Sequence, residues 1–175
     1  MHYGRETSLL NNQWVNSYKY LHHDFYNSSY IACSQHFNQT NIQIGVCGCR
    51  DENSPQQGVR ISHADAACNP YLALLSNIAA GMAGHSPDKF KVWEDDETND
   101  TEANTKFNRA IKQHKIMPMP ENLQQAIDDF EGGQLMRNIL SPALIDSIID
   151  IKRQEAEKFE KHVSSWEQQQ QLEVL

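Results

Sequence analysis

The stretch Asn69-Pro70-Tyr71-Leu72-Ala73-Leu74-Leu75-Ser76-Asn77-Ile78-Ala79-Ala80-Gly81 constrains the fold more than any other part of the chain. Asn69 is suited to accept from a first-turn amide as an N-cap. Pro70 stands at the first helical position, where a missing N–H leaves nothing unsatisfied. Apolar residues at Tyr71, Leu74, Leu75, Ile78 and Met82 then follow the spacing of one helical face, which predicts a core-facing helix over 69–84. Ala79, Ala80 and Gly81 are small enough to let a neighbouring backbone approach closely.

The rest of the chain divides around this helix. Residues 12–61 read as strand-rich. Val15 to Leu21, Tyr30 to Cys33 and Ile42 to Cys47 are rich in β-branched and aromatic residues, and polar connectors such as Asp51-Glu52-Asn53-Ser54-Pro55 separate them. Ile42, Ile44 and Val46 alternate with Gln43 and Gly45, the period of a half-buried strand. After the helix comes an acidic stretch, 94–105, containing Glu94-Asp95-Asp96-Glu97; it reads as a solvated loop. It lacks the central glycine and the spaced terminal glutamate of a calcium loop.

Residues 120–170 read as helical. Leu123, Ala126, Ile127 and Phe130 form one stripe, which Gly132-Gly133 stops. A short helix around Leu135 to Leu140 precedes Ser141-Pro142, a cap and first-position proline. They open a long helix whose face runs Leu144, Ile145, Ile148, Ile149, Lys152, Glu155, Phe159, Val163 and Trp166. The glutamines at 168–171 read as a frayed helix end. No internal repeat and no glycine loop of the phosphate-cradling kind is present.

Composition narrows the function classes. At 175 residues the chain is one domain or part of one. A formal net charge of -8 and a pI near 5.4 argue against a nucleic-acid partner, which needs a basic patch. No apolar run reaches membrane-spanning length, and the N-terminus lacks the apolar core of a signal peptide, so the expectation is a cytoplasmic protein. The four cysteines, Cys33, Cys47, Cys49 and Cys68, have neither disulfide-framework nor zinc-site spacing and read as reduced thiols. The eight histidines are scattered, and no metal ligand set is expected. Glycosylation-type triplets at Asn27, Asn38 and Asn99 are chance matches in an asparagine-rich chain.

Several segments together resemble the glutamine synthetase family, ATP-dependent ligases that join ammonia or an amine to the γ-carboxylate of glutamate. Asn16-Ser17-Tyr18-Lys19 is similar to the family's asparagine-serine-tyrosine-lysine-arginine segment. The helix at Asn69 resembles its asparagine-proline-tyrosine helix. Met119-Pro120-Glu121-Asn122-Leu123-Gln124-Gln125-Ala126-Ile127 is similar to a helix near the family's C-terminus. Lys152-Arg153-Gln154-Glu155, Phe159, Val163 and Trp166-Glu167 match its last long helix. The resemblance implies an α+β fold: a partial antiparallel sheet from residues before Ile61, covered by the helix at Asn69 and the C-terminal helices. It takes 1–175 as the C-terminal portion of the catalytic domain, without the upstream part that carries the other metal ligands.

The resemblance fails where the family does chemistry. Activating glutamate as a γ-glutamyl phosphate needs carboxylate-held divalent metals and arginines for the phosphoryl group and substrate. The glutamate-gripping arginine expected after Lys19 is Tyr20. The arginine of an asparagine-arginine-serine/threonine motif is Gln39, and a second, phosphate-facing arginine falls on Gln43. The arginine-x-glutamate-x-arginine strand aligns on Arg60-Ile61-Ser62-His63-Ala64 when a short deletion precedes Asp65. Ser62 then replaces the metal-binding glutamate and Ala64 the last arginine. Without that deletion Arg60 and Ser62 take those two places, and the glutamate is absent either way.

Arg60 is therefore the single cofactor-binding candidate, toward a nucleotide; no catalytic and no metal residue is assigned. ATP and magnesium are the family's cofactors and are expected to bind weakly or not at all. The function this implies is a truncated, inactive glutamine synthetase-like protein that associates with itself or with a full-length family member. Two alternatives stand beside it: the C-terminal half of an active ligase completed by another chain, and a non-enzymatic scaffold.

Overall fold

The computed structural model describes residues 3–19, 21, 30–34, 42–47, 58–61, 63–84 and 118–172, the backbone alone for 30–34, 42–47 and 58–60. The described residues are mostly helical. In order they form α1 (Tyr3–Asn11), α2 (Val15–Lys19), strands β1 (Tyr30–Ser34), β2 (Ile42–Cys47) and β3 (Gly58–Ile61), then α3 (Pro70–Ala83), α4 (Leu123–Gly132), a 3-10 turn (Met136–Asn138), α5 (Pro142–Glu160) and α6 (Ser165–Leu172). The acidic loop at 94–105 lies outside the described residues.

The strands pair in the order β1-β2-β3. β2 and β3 run antiparallel, with Gly45 opposite Arg60 and Val46 opposite Val59. β1 and β2 run parallel, with a register irregularity between Tyr30 and Cys33. The ladder is thus mixed rather than the expected antiparallel sheet. The expected cover of helices over the sheet rests on strand side chains that lie outside the described ones. The core formed by the described side chains is made by helices and their connections, from Leu9, Leu10 and Tyr18 to Phe130, Met136, Ile145 and Ile149.

Helix α1 stands at the centre of that core, between α3 and α4, and α4 in turn packs on α5. Its turns bury Glu6, Thr7, Ser8, Leu9, Leu10 and Asn11 together. Because polar and apolar residues are both buried, α1 shows no amphipathic stripe, and the sequence reading contains no helix there. Glu6 and Asn11 have specific partners for their buried polar groups. Glu6 Oε1 accepts from the Met136 amide at 2.7 Å. Asn77 Nδ2 donates to Asn11 Oδ1 at 2.8 Å, and Asn11 Nδ2 donates to the Thr7 carbonyl at 3.0 Å. At the helix edge Arg5 Nε donates to Asp129 Oδ2 at 2.7 Å, tying α1 to α4.

Val15–Lys19 is a helix, not the expected strand. Local β-propensity is overridden by tertiary partners: Glu155 Oε1 accepts from the Val15 amide at 3.3 Å, satisfying a first-turn donor from a distant helix.

Helix α3 begins and ends where its sequence says. The Asn69 side chain accepts from the Tyr71 and Leu72 amides, Pro70 opens the helix, and Gly84 caps its end. Its orientation is the reverse of the expectation. Ala73, Ser76 and Ala79 are buried, whereas Tyr71, Leu74, Leu75, Ile78 and Met82 are exposed. The small face is what allows α3 to lie against α1, where Asn77 meets Asn11. Gly81, expected at a close backbone approach, has nothing within 4 Å of the place a Cβ would occupy.

The C-terminal helices keep their signals. Asn122 caps α4 through the Gln125 amide, and Leu123, Ala126, Ile127 and Phe130 are buried as the stripe predicts. Ser141 accepts from the Leu144 amide, with Pro142 in the first turn of α5. The long apolar face is shorter than its spacing suggests. Ile145 and Ile149 are buried, but Leu144, Phe159, Val163 and Trp166 are exposed. The helix ends at Glu160, and a reciprocal Ser164/Glu167 capping box starts α6.

Gly133 illustrates how tightly α1 is held. A Cβ there would sit 2.1 Å from Glu6 Cδ and 2.2 Å from Cγ. That carboxylate is buried and bonded to Met136, so it is not free to swing away. Gly133→Ala should therefore destabilise the protein by about 1–3 kcal/mol, the range for overpacking a filled core. Gly132→Ala, with open space at its Cβ position, should be close to neutral. Urea denaturation of both variants checks the contrast.

Candidate functional site

The segments that carry the family resemblance are brought together by direct contacts. Asn16-Ser17-Tyr18-Lys19 forms most of α2, which packs on α5. Lys152 and Glu155, one turn apart on α5, hold it from that side. Lys152 Nζ is 2.8 Å from Glu155 Oε2 and 4.3 Å from the centroid of the Trp14 ring, while the other Glu155 oxygen receives the Val15 amide. Further along, Lys19 Nζ lies 5.3 Å from the Phe159 ring centroid, so both ends of α2 carry cation–π contacts.

The loop before α3 holds α2 from the other side. Ser17 Oγ donates to Asp65 Oδ2, the Trp14 indole N–H donates to the Ala67 carbonyl at 3.2 Å, and the Asp65 amide donates to the Asn11 carbonyl at 3.0 Å. Asp65 Oδ1 accepts from the Ala67 amide at 2.8 Å, the local turn that aspartate favours. Asp65 and Trp14 are not assigned in the sequence reading. Asp65-Ala66-Ala67-Cys68 is a plain turn signal, and nothing local in it announces the long-range bond to Ser17. Cys68, beside this turn, has its thiol pushed up by burial and, secondarily, by the Asp65 carboxylate.

Tyr18 is the buried centre of this arrangement. Its hydroxyl donates to the Asn12 carbonyl at 2.6 Å, and burial pushes its phenol well above the usual range. Among the described residues, then, α2 is a packed structural segment.

Arg60 lies in β3 opposite Gly45 of β2, two residues along β2 from Gln43. Arg60, the nucleotide candidate of the resemblance, thus stands on the strand paired with β2, two positions along the ladder from Gln43, where the resemblance expects an arginine. Tyr20, Gln39 and Ser62 lie outside the described residues. Ala64, set against an arginine in the gapped of the two alignments, is exposed in the turn leading to α3.

A comparison with protein-family models matches residues 1–171 to the glutamine synthetase catalytic domain. The chain belongs to the glutamine synthetase family. It is 27% identical over 167 residues to the glutamine synthetase of Mycolicibacterium smegmatis, across 95% of this chain and 36% of that one. It is 29% identical over 130 residues to the glutamate–methylamine ligase of Methyloversatilis universalis, across 70% of this chain and 26% of that one. Among solved structures it is similar to one described as apo GmaS without ligand, with a TM-score of 0.67 and 20% identity, over 97% of this chain and 35% of that one. This chain thus spans about a third of the length of the relatives it matches.

Among the described residues no three His, Cys, Asp and Glu side chains come together as a metal-binding group. The arginines whose side chains are described are held by protein acceptors. Arg5 bonds Asp129 and the Pro118 carbonyl, Arg137 the Glu131 carbonyl, and Arg153 the Glu131 carboxylate at 2.5 Å.

Tyr18 supplies a test of this packing. Because its folded pKa is raised, the folded state keeps the phenol proton when the unfolded chain, near the ordinary value of about 10, releases it. Its contribution is fully present below about pH 10 and is lost as pH rises above it. Denaturant melts at pH 9 and pH 11 should show that loss, and Tyr18→Phe should flatten it. The variant should also lose about 1 kcal/mol at neutral pH, from the missing bond to Asn12.

Proposed function

We propose that this chain is a glutamine synthetase-like protein that does not itself carry out ligation and acts through protein contacts, in the cytoplasm, by associating with itself or with a full-length family member. The observation that carries the reading is the substitution pattern on a kept framework. The contacts that unite α2, the turn before α3 and α5 are intact. Yet Tyr20, Gln39, Gln43 and Ser62 stand where the resemblance expects three arginines and a metal-binding glutamate. Removing one charge-assisted contact to a developing anion typically lowers a rate by roughly two to three orders of magnitude. Several such losses in one site leave little catalysis. Arg60 remains as a nucleotide contact at most. Among the described residues no helix is long and apolar enough to cross a membrane.

A second reading has one observation in its favour. The relatives are about three times as long as the stretch this chain matches, so another chain could supply the rest of an active ligase for ammonia or an amine such as methylamine.

The purified chain should form neither glutamine from glutamate, ATP and ammonia nor the γ-glutamyl amide from methylamine. Its phosphate release from ATP should not respond to glutamate. Restoring arginine at 20, 39 and 43 and glutamate at 62 should not start turnover. Glutamate-dependent phosphate release by the chain alone would overturn the inactive reading, and Arg60→Ala would then be the first variant to assay. Turnover that appears only on mixing with the complementary part of a relative would establish the second reading.

A further inference from the structure

Helix α3 carries a surface that the fold does not use. Its stripe of Tyr71, Leu74, Leu75, Ile78 and Met82 is exposed at 84, 62, 37, 53 and 75%. At roughly 200 Å² per large side chain, that leaves about 600 Å² of mostly apolar surface on one helix face. A contiguous patch of that size marks an interaction surface more often than an idle one.

We propose that this face is where two copies of the chain meet, through an antiparallel, two-fold α3–α3 contact. The proposal gives the self-association put forward above its location and geometry.

Three observations select a second copy. The first is the order of side chains along the stripe, four of whose five members pair symmetrically about the helix midpoint. Tyr71 and Met82 lie at equal distances on either side of it, as do Leu75 and Ile78. A two-fold contact requires that kind of match, since each residue must suit its opposite number in both directions. Turned antiparallel, Tyr71 of one copy lies beside Met82 of the other, a favourable sulfur–aromatic pairing, and Leu75 lies beside Ile78 at the centre.

The second observation is charge. The chain has a net charge of -8, and each of the other described α-helices carries at least one charged residue. The α3 segment, Pro70–Ala83, carries none. Two identical acidic chains repel over most surfaces, and α3 is a helix face on which they meet without opposing like charges. The third is area. Covering the stripe on both copies removes about 1,200 Å², the lower bound of a specific interface.

The test is the mass of the chain of residues 1–175 by light scattering and sedimentation equilibrium, with variants at positions already exposed in the single copy. The wild-type chain should be a dimer at micromolar concentration. Ile78→Lys and Leu75→Lys should make it a monomer with an unchanged circular dichroism spectrum. Ile151→Lys, at an exposed apolar site on α5, should leave the dimer intact. The double variant Tyr71→Cys/Met82→Cys should cross-link between copies under mild oxidation, beyond the level of either single variant; this arm does not depend on the lysine variants folding. A wild-type monomer would overturn the proposal, as would a dimer indifferent to both lysines. A cross-link no stronger than in the single variants would do the same, and so would association only with the complementary part of a relative. Each of these is read from mass or cross-linking and not from turnover, so such a failure would leave the catalytic reading untouched.

Discussion

The pairing of Asn11 with Asn77 sets the arrangement of the helical layer. Asn11 is fully buried on α1, and a buried amide left without partners costs roughly 1–3 kcal/mol. Its oxygen accepts from Asn77 of α3 and its nitrogen donates to Thr7, while its backbone carbonyl receives the Asp65 amide. Meeting these demands fixes the rotation of α3 about its own axis. Asn77, Ser76 and Ala73 must face α1, and the large apolar residues on the far side of the helix are turned outward. One polar pair thereby decides which face of a strongly apolar helix the molecule shows to its surroundings.

The same logic operates at α2. Five residues cannot hold a helix alone, because nucleation fixes several residues for a single hydrogen bond. The helix persists because Glu155 takes its first amide, Lys152 stacks on Trp14, Asp65 takes the Ser17 hydroxyl, and Tyr18 is buried against Asn12. These contacts bind together segments far apart in sequence. Two of the segments that carry the resemblance to the family, Asn16-to-Lys19 and Lys152-to-Glu155, take part in these contacts. The positions that differ, Tyr20, Gln39, Gln43 and Ser62, are those the resemblance assigns to phosphate, substrate and metal. Kinship and chemistry reside in separate sets of residues, so a chain can keep one while its sequence departs from the other.

Helix ends were legible in the sequence because caps act locally. Asn69-Pro70, Asn122 and Ser141-Pro142 each satisfy first-turn amides within a few residues, and the structure places each cap there. The α4 stripe was legible too, since a helix with one apolar face has one way to bury it. Family membership was legible from the order of the framework segments. The candidate site was legible only as a pattern of substitutions: Arg60 is placed by its backbone in β3, and the groups that organise α2 come from Asp65 and Trp14.

What the sequence by itself determined are the features governed by neighbours within a turn or two: caps, stops and the spacing of α3 and α4. Tertiary structure alone decided that α1 is a helix, that Val15–Lys19 is helical despite its β-branched and aromatic start, and that α3 turns its small face inward. In each case the deciding partner is distant in the chain: Met136 for Glu6, Glu155 for Val15, Asn11 for Asn77. A hydrophobic pattern records which residues favour leaving water. It does not record which buried polar group must find its partner first, and here those polar demands determine which faces are turned inward.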